Sequence, residues 1–242
     1  MNINDEAIII DKILLKEDSV IVKSLTRNHG LLSGVTKSNV KKQKYLPQKG
    51  DLVDFFWQAR LIDHLGYCKI ELTESNFSFI MLDKKKIYSI NTILELINLS
   101  FKERDPHPLL FNYLNNYLKN IAHSKFSFLN HILMEINILS ECGYGLDLTK
   151  CASTGTFEDL FYVSPKSGKA VSKFAGEKYK NSLLKLPQFI LHNKEPETVN
   201  EVFEADLLMG YFFKRYILSD EKNLFTRNNF FKLIESSYSG SV

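Results

Sequence analysis

The sequence predicts a multidomain protein, β first and then α: a small antiparallel barrel, then an all-helical domain interrupted by an irregular insert. Three observations carry this reading. The first eighty or so residues hold five short β-rich runs separated by turn signals. Further along, apolar residues recur at helical spacing. Between two of the helical stretches, residues 143–176 are Gly-rich and keep neither period. Strands grouped before helices indicate separate domains rather than an alternating α/β sheet.

Ala7 to Leu15 is apolar and β-rich, and Ser19 to Leu25 contains Val20, Ile21 and Val22, with Lys16-Glu17-Asp18 as the polar turn between them. Asn28-His29-Gly30 is a second turn, because Asn and Gly tolerate positive φ. Leu31 to Thr36, Leu52 to Trp57 and Tyr67 to Thr73 complete five strands. Of the aromatics Phe55, Phe56 and Trp57, at least one must face the core of a half-buried strand. Five short strands at this spacing make the five-strand oligonucleotide-binding (OB) barrel the leading candidate.

A weaker helix is expected over Ile87 to Leu99. Asp105-Pro106 reads as an N-cap followed by proline at the first helical position. Leu109, Leu110, Tyr113, Leu114, Tyr117, Leu118 and Ile121 then form one apolar face, and Phe128 to Leu139 repeats it. Thr198 with Glu201 makes a capping box, opening a helix whose apolar side includes Val202, Leu208, Phe212 and Phe213. The expected domains are 1–80 for the barrel, 81–142 with 177–242 for the helical domain, and 143–176 for the insert.

Composition excludes several classes. Of 242 residues, 44% are hydrophobic and 24% charged, an ordinary globular mixture. No apolar run approaches the ~18 residues of a membrane span. Met1 to Glu6 carries two acids and no base, so no secretory signal is expected. Three cysteines form no disulfide framework and fit a reducing cytosol. No P-loop, G-x-S-x-G or H-E-x-x-H motif is present, and the six histidines are scattered, which reads as surface or cap residues. No catalytic constellation is expected.

The net charge of +3 is mild, but its distribution is not even. From Lys23 to Gly50 there are seven basic residues, Lys23, Arg27, Lys37, Lys41, Lys42, Lys44 and Lys49, and no Asp or Glu. On a barrel such a stretch is either a phosphate-binding track or a solvated lysine loop, and the residues alone leave both open.

The run Ser24-Leu25-Thr26-Arg27-Asn28-His29-Gly30-Leu31, then Gly34-Val35-Thr36-Lys37-Ser38 and the basic cluster, resembles the N-terminal barrel of the bacterial recombination mediator family RecO. Trp57-Gln58-Ala59-Arg60-Leu61 and His64-Leu65-Gly66 are similar to its α-proteobacterial branch. Gly143-Tyr144-Gly145-Leu146-Asp147-Leu148-Thr149-Lys150-Cys151, Tyr162-Val163-Ser164-Pro165-Lys166-Ser167-Gly168 and Val171-Ser172 resemble the family's zinc-ribbon insert. The resemblance covers most of the chain.

It implies a non-enzymatic role in recombinational DNA repair, in the bacterial cytoplasm at the nucleoid. The expected partners are single- and double-stranded DNA, RecR, the C-terminal tail of single-strand-binding protein and, indirectly, RecA; no membrane is involved. An alternative is a generic OB-fold protein binding single-stranded RNA or DNA in another pathway. The DNA-binding candidates are Arg27, Lys37, Lys41, Lys42 and Lys44, with Lys49 and Arg60 beside them. Lys119, Lys125, Lys214 and Arg215 flank apolar helix faces and are candidates for the acidic partner tail. The insert departs from the family pattern. Many members carry two C-x-x-C pairs there, whereas here Cys151 keeps one position and Thr154, Ser172 and Ala175 occupy the others. One thiolate cannot hold a tetrahedral structural zinc, so a degenerate insert without metal is expected, and no cofactor.

Overall fold

A computed structural model describes residues 1–16, 19–37, 46–61, 64–218 and 224–239. The chain separates into two compact units, residues 1–125 and 126–242.

In the first unit five strands close a barrel: β1 (Asn2–Lys16), β2 (Ser19–Thr26), β3 (Gly30–Lys37), β4 (Leu52–Gln58) and β5 (Gly66–Glu74), in the order β1-β2-β3-β5-β4 with β4 returning to β1. Four of these seams are antiparallel; the fifth, β3 with β5, is parallel and short, pairing Gly34 with Gly66 and Val35 with Tyr67. Strand alternation sends Ile9, Val22, Leu32, Phe55, Trp57 and Ile70 into the interior. Phe55 and Trp57 therefore face the core, while Phe56 between them points outward.

The parallel seam forms over the Trp57 indole. Its Nε1 donates to the Ser33 carbonyl at 2.9 Å. A Cβ on Gly66 would lie 2.2 Å from that nitrogen, and one on Gly34 would lie 2.9 Å from the Cys68 Cβ and 3.1 Å from the indole. Only glycine at both inward positions lets the two strands approach across so large a side chain.

At the far end of the barrel the buried Asp51 carboxylate accepts from the backbone N–H of Gln48 at 2.7 Å and of Phe77 at 3.1 Å, and from the Ser75 hydroxyl. It joins the start of β4 to the short helix α1 (Phe77–Ile80). Two longer helices follow, α2 (Lys84–Ser100) and α3 (Pro108–His123). The helix α2 is N-capped by Asp83, which accepts from Lys85 and Lys86. The expected start at Asp105-Pro106 is corrected: α3 begins at Pro108, with His107 as N-cap. The proline rule holds one dipeptide later, because Glu103 bridges to Leu31 of β3 and Arg104 turns with a positive φ, its N–H bonding the Leu31 carbonyl, which keeps 103–105 out of the helix. Helices α1 to α3 group with the barrel in this unit.

The second unit holds α4 (Phe128–Glu141), α5 (Lys173–Gly176), α6 (Gln188–His192), α7 (Val199–Tyr216) and α8 (Phe225–Ser239). The capping box at Thr198 and Glu201 opens α7. Three short strands, β6 (Leu160–Val163), β7 (Ala170–Ser172) and β8 (Leu184–Lys185), form a sheet in the order β7-β6-β8, so the irregular insert contains regular structure. Sequence reading missed α8 altogether. Its buried face is Arg227, Phe230, Phe231 and Ile234, and an arginine in the apolar stripe hides the period.

Arg227 is buried because carboxylates meet it. Its guanidinium donates to both oxygens of Glu135 on α4, at 2.8 and 3.1 Å, and to Asp206 on α7 at 2.5 Å. His131 lies beside Glu135 at 3.3 Å and against the Phe230 ring. The surface-or-cap reading is therefore corrected for His131, which is fully buried. Breaking such a pair by removing one partner leaves an uncompensated charge and costs ~3–5 kcal/mol.

Two predictions follow from this packing. Gly66→Ala should destabilise the first unit by about 1–3 kcal/mol, because the added methyl must displace the Trp57 indole. Denaturant unfolding followed by the emission of Trp57, the chain's single tryptophan, checks this; an unchanged midpoint contradicts the packing account. The second prediction concerns pH. Burial holds His131 below its ordinary value of 6.5 despite Glu135, so the folded ring is neutral. Below about pH 6.5 the unfolded chain binds a proton that the folded chain does not. Stability should then fall as pH drops through that window, by up to ~1.4 kcal/mol per unit. In urea unfolding at pH 7.5 and 5.5, His131→Phe should lose less stability than the parent between the two. Equal losses would show that His131 does not titrate with folding.

Candidate nucleic-acid interface

The cations expected to bind phosphate divide into three groups. Lys41, Lys42 and Lys44 lie outside the described residues. Arg27 and Lys49 are engaged by carboxylates. Arg27 donates to Glu6 through Nε at 3.0 Å and Nη2 at 2.5 Å, and to Asn112 of α3 through Nη1 at 2.8 Å; it also lies over the Phe111 ring. This arginine ties the turn after β2 to α3. Lys49 pairs with Asp11 at 2.5 Å. Lys37 and Arg60 form the third group: both are exposed, and neither has an ion-pair partner among the described residues.

The register places the last two around one point. Val35 of β3 pairs with Tyr67 of β5, and Tyr67 pairs with Gln58 of β4. Lys37 lies two residues beyond Val35 and Arg60 two beyond Gln58. Because β3 runs parallel and β4 antiparallel to β5, the two cations fall on opposite sides of the Tyr67 row. The Met1 nitrogen donates to the Ala59 carbonyl at 2.8 Å and holds the start of β1 beside the end of β4.

Lys12 and Lys23 are cations the candidate set left out. The Lys12 ammonium donates to the Pro47 carbonyl at 3.0 Å and to Gln48 at 2.7 Å, pinning the chain that enters β4; burial lowers its pKa. Lys23 stands on β2 opposite Asp11 and Ser33. The role of Lys12 could not be read from the sequence, because it depends on a partner ~35 residues away.

The residues offered for an acidic tail also divide. In the first unit, Lys119 pairs with Glu74 at 3.2 Å, and Lys125 is exposed. In the second, Arg215 donates to the Tyr211 hydroxyl at 2.7 Å and covers the Tyr216 ring. Lys214 is exposed at the edge of a cleft of ≈ 350 Å³ between α7 and α8, lined by the buried Leu224, by Leu218 and by the exposed Leu207. Asp206 also lines that cleft, with its charge met by Arg227.

Cys151 is buried, and its Sγ accepts from the backbone N–H of Ser172 at 3.2 Å and of Thr154 at 3.4 Å. Burial opposes its ionisation, but these donors outweigh it and bring the thiol down to about 6. The donors that surround a metal-binding thiolate are thus kept, but the ligands are not. Among the described residues no three His, Cys, Asp or Glu side chains gather as a metal site. One thiolate with Thr154, Ser172 and Ala175 does not fit a zinc ion. Also among the described residues, no helix is long and apolar enough to cross a membrane.

Comparison with known proteins gives a consistent match. Residues 1–76 fit the family model described as Recombination protein O N terminal, and residues 81–224 fit Recombination protein O C terminal. The DNA repair protein RecO of Rickettsia felis is 43% identical over 234 residues, 97% of this chain and 98% of that one. Its counterpart in Rickettsia typhi is 42% identical over 234 residues, 97% of this chain and 99% of that one. Its counterpart in Rickettsia bellii is 44% identical over 234 residues, 97% of each.

The purified protein should carry no stoichiometric zinc. Elemental analysis finding one zinc per chain, released only on unfolding, would contradict the ligand argument.

Proposed function

The chain belongs to the RecO family of DNA repair proteins, and from that premise we propose that it is a non-enzymatic recombination mediator. In this reading it binds single- and double-stranded DNA and anneals complementary strands. With RecR it helps load RecA onto DNA coated by single-strand-binding protein, in the cytoplasm at the nucleoid. Its role in DNA repair follows from family membership; the steps are the proposal. The observation that carries it is the match of both halves, in order, across nearly the whole chain.

Annealing needs two phosphate backbones neutralised at once, which Lys and Arg achieve by displacing condensed counterions. Lys37 and Arg60, together with Lys41, Lys42 and Lys44, are the proposed phosphate contacts. Arg27 and Lys49 contribute less, because Glu6 and Asp11 already take up their charge. The cleft beside Lys214 is the proposed seat for the tail of single-strand-binding protein: an apolar lining with a cationic edge suits an acidic peptide that ends in an aromatic residue.

The alternative, a generic OB-fold protein acting on RNA or DNA elsewhere, predicts binding without annealing. Annealing of complementary oligonucleotides, with and without single-strand-binding protein, separates the two. Changing Lys37, Lys41, Lys42 and Lys44 together to Ala should weaken binding alike on every sequence. At about 0.7 per phosphate contact on single strands, the slope of log affinity against log salt should flatten by about two to three. An unchanged slope with unchanged annealing would place the DNA elsewhere.

A further inference from the structure

One face of the barrel carries two exposed aromatic rings that phosphate binding does not explain. On the outer side of β1, β4 and β5 two cross-strand rows run side by side: Asn4, Phe56 and Lys69, then Asn2, Gln58 and Tyr67. These six residues line a cleft of ≈ 440 Å³, within the ~300–1,000 Å³ usual for a ligand site. Tyr67 is 75% exposed and Phe56 39%. The rings are diagonal neighbours across the β4–β5 pair, roughly 7–8 Å apart at the backbone. The Lys69 ammonium lies 5.7 Å from the Phe56 ring centre and pairs with Glu71 at 2.5 Å.

The charge around the rings is one-sided. Lys37 and Lys69 stand on one side of the Tyr67 row, and Arg60 on the other. The carboxylates of Glu6, Asp54 and Glu71 begin only in the next row along the strands. Beside the Lys69 ammonium and the Tyr67 hydroxyl, the polar groups lining the cleft are amides, from Asn2, Asn4 and Gln58. Burial pushes the Cys68 thiol beneath up to about 12, so it brings no charge. Aromatic rings alone also suit a protein interface, but lysine is depleted there; flat rings, neutral amides and flanking cations together match the faces, edges and phosphates of unpaired nucleotides.

We propose that this face is a base-stacking platform. Successive bases of a single strand stack on Phe56 and Tyr67, with the amides of Asn2, Asn4 and Gln58 at their edges and the phosphates along Lys37 and Arg60. This rests on the nucleic-acid-binding reading above and adds to it a site for the bases themselves. The row built on β5, β4 and β1 also continues the β3 edge that carries Lys37, so cations and rings form one surface.

The test compares a labelled oligo-dT with an abasic oligonucleotide of the same length, by fluorescence anisotropy at fixed salt. The parent should bind oligo-dT at least about tenfold more tightly. Phe56→Ala and Tyr67→Ala should each lose about tenfold on oligo-dT, the equivalent of ~1.4 kcal/mol per stacked base. Neither should change affinity for the abasic strand or the salt slope, and Phe56→Trp should keep parent affinity for oligo-dT. Equal binding of both strands by the parent would overturn the platform while leaving phosphate binding intact. Equal losses on both strands in the Ala variants would overturn it too, and would mark Phe56 and Tyr67 as structural. If the parent binds neither strand, the nucleic-acid reading itself fails and the platform with it.

Discussion

The contact of Trp57 with two glycines is the constraint on which the barrel depends. A five-strand sheet closes only if β3 and β5 meet, and they meet over the indole at Gly34 and Gly66. Any larger residue would hold the strands apart and leave their edges unpaired, a costly state for buried backbone. Closure also sets the outer surface. Gly66 facing inward puts Tyr67 outward beside Val35, and Trp57 inward puts Phe56 and Gln58 outward on either side. One internal contact therefore fixes which aromatics the barrel shows and where the end of β3, with Lys37, lies relative to them.

The cations of the barrel fall into two functions. Arg27, Lys12 and Lys49 are held by Glu6, Pro47 and Gln48, and Asp11, and they fasten turns and loop ends. Exposed pairs of this kind contribute little to stability, commonly under ~1 kcal/mol. Their effect here is to position backbone and to withdraw charge from the surface. Lys37 and Arg60 keep theirs. An acid-free stretch in the sequence is thus not a uniform positive patch in the fold, because Asp11 and Glu6 reach it from β1.

Much of this was legible in the sequence, and the remainder has identifiable causes. The five strands and the helices α3, α4 and α7 follow from alternation and apolar spacing, which are local. The capping box at Thr198 and Glu201 was equally plain. What stayed hidden depends on distant partners. The parallel β3–β5 seam leaves no trace in either strand alone. His131 reads as a surface or cap residue, because only the distant Phe230 and Arg227 show that it and its helix neighbour Glu135 are buried. The same Arg227 concealed α8. In the candidate site the basic residues could be named, but which were already paired could not. The platform of Phe56 and Tyr67 needed the register, since it is assembled from three strands.

The central claim is that a RecO-family barrel, through one continuous outer surface, holds single-stranded DNA. Photo-crosslinking with an oligonucleotide carrying 4-thiothymidine, followed by peptide mapping of the full-length protein, tests it most directly. The account predicts adducts in the first unit, on peptides containing Phe56, Tyr67 or residues 37–45, that salt diminishes. Adducts confined to residues 126–242 would contradict it.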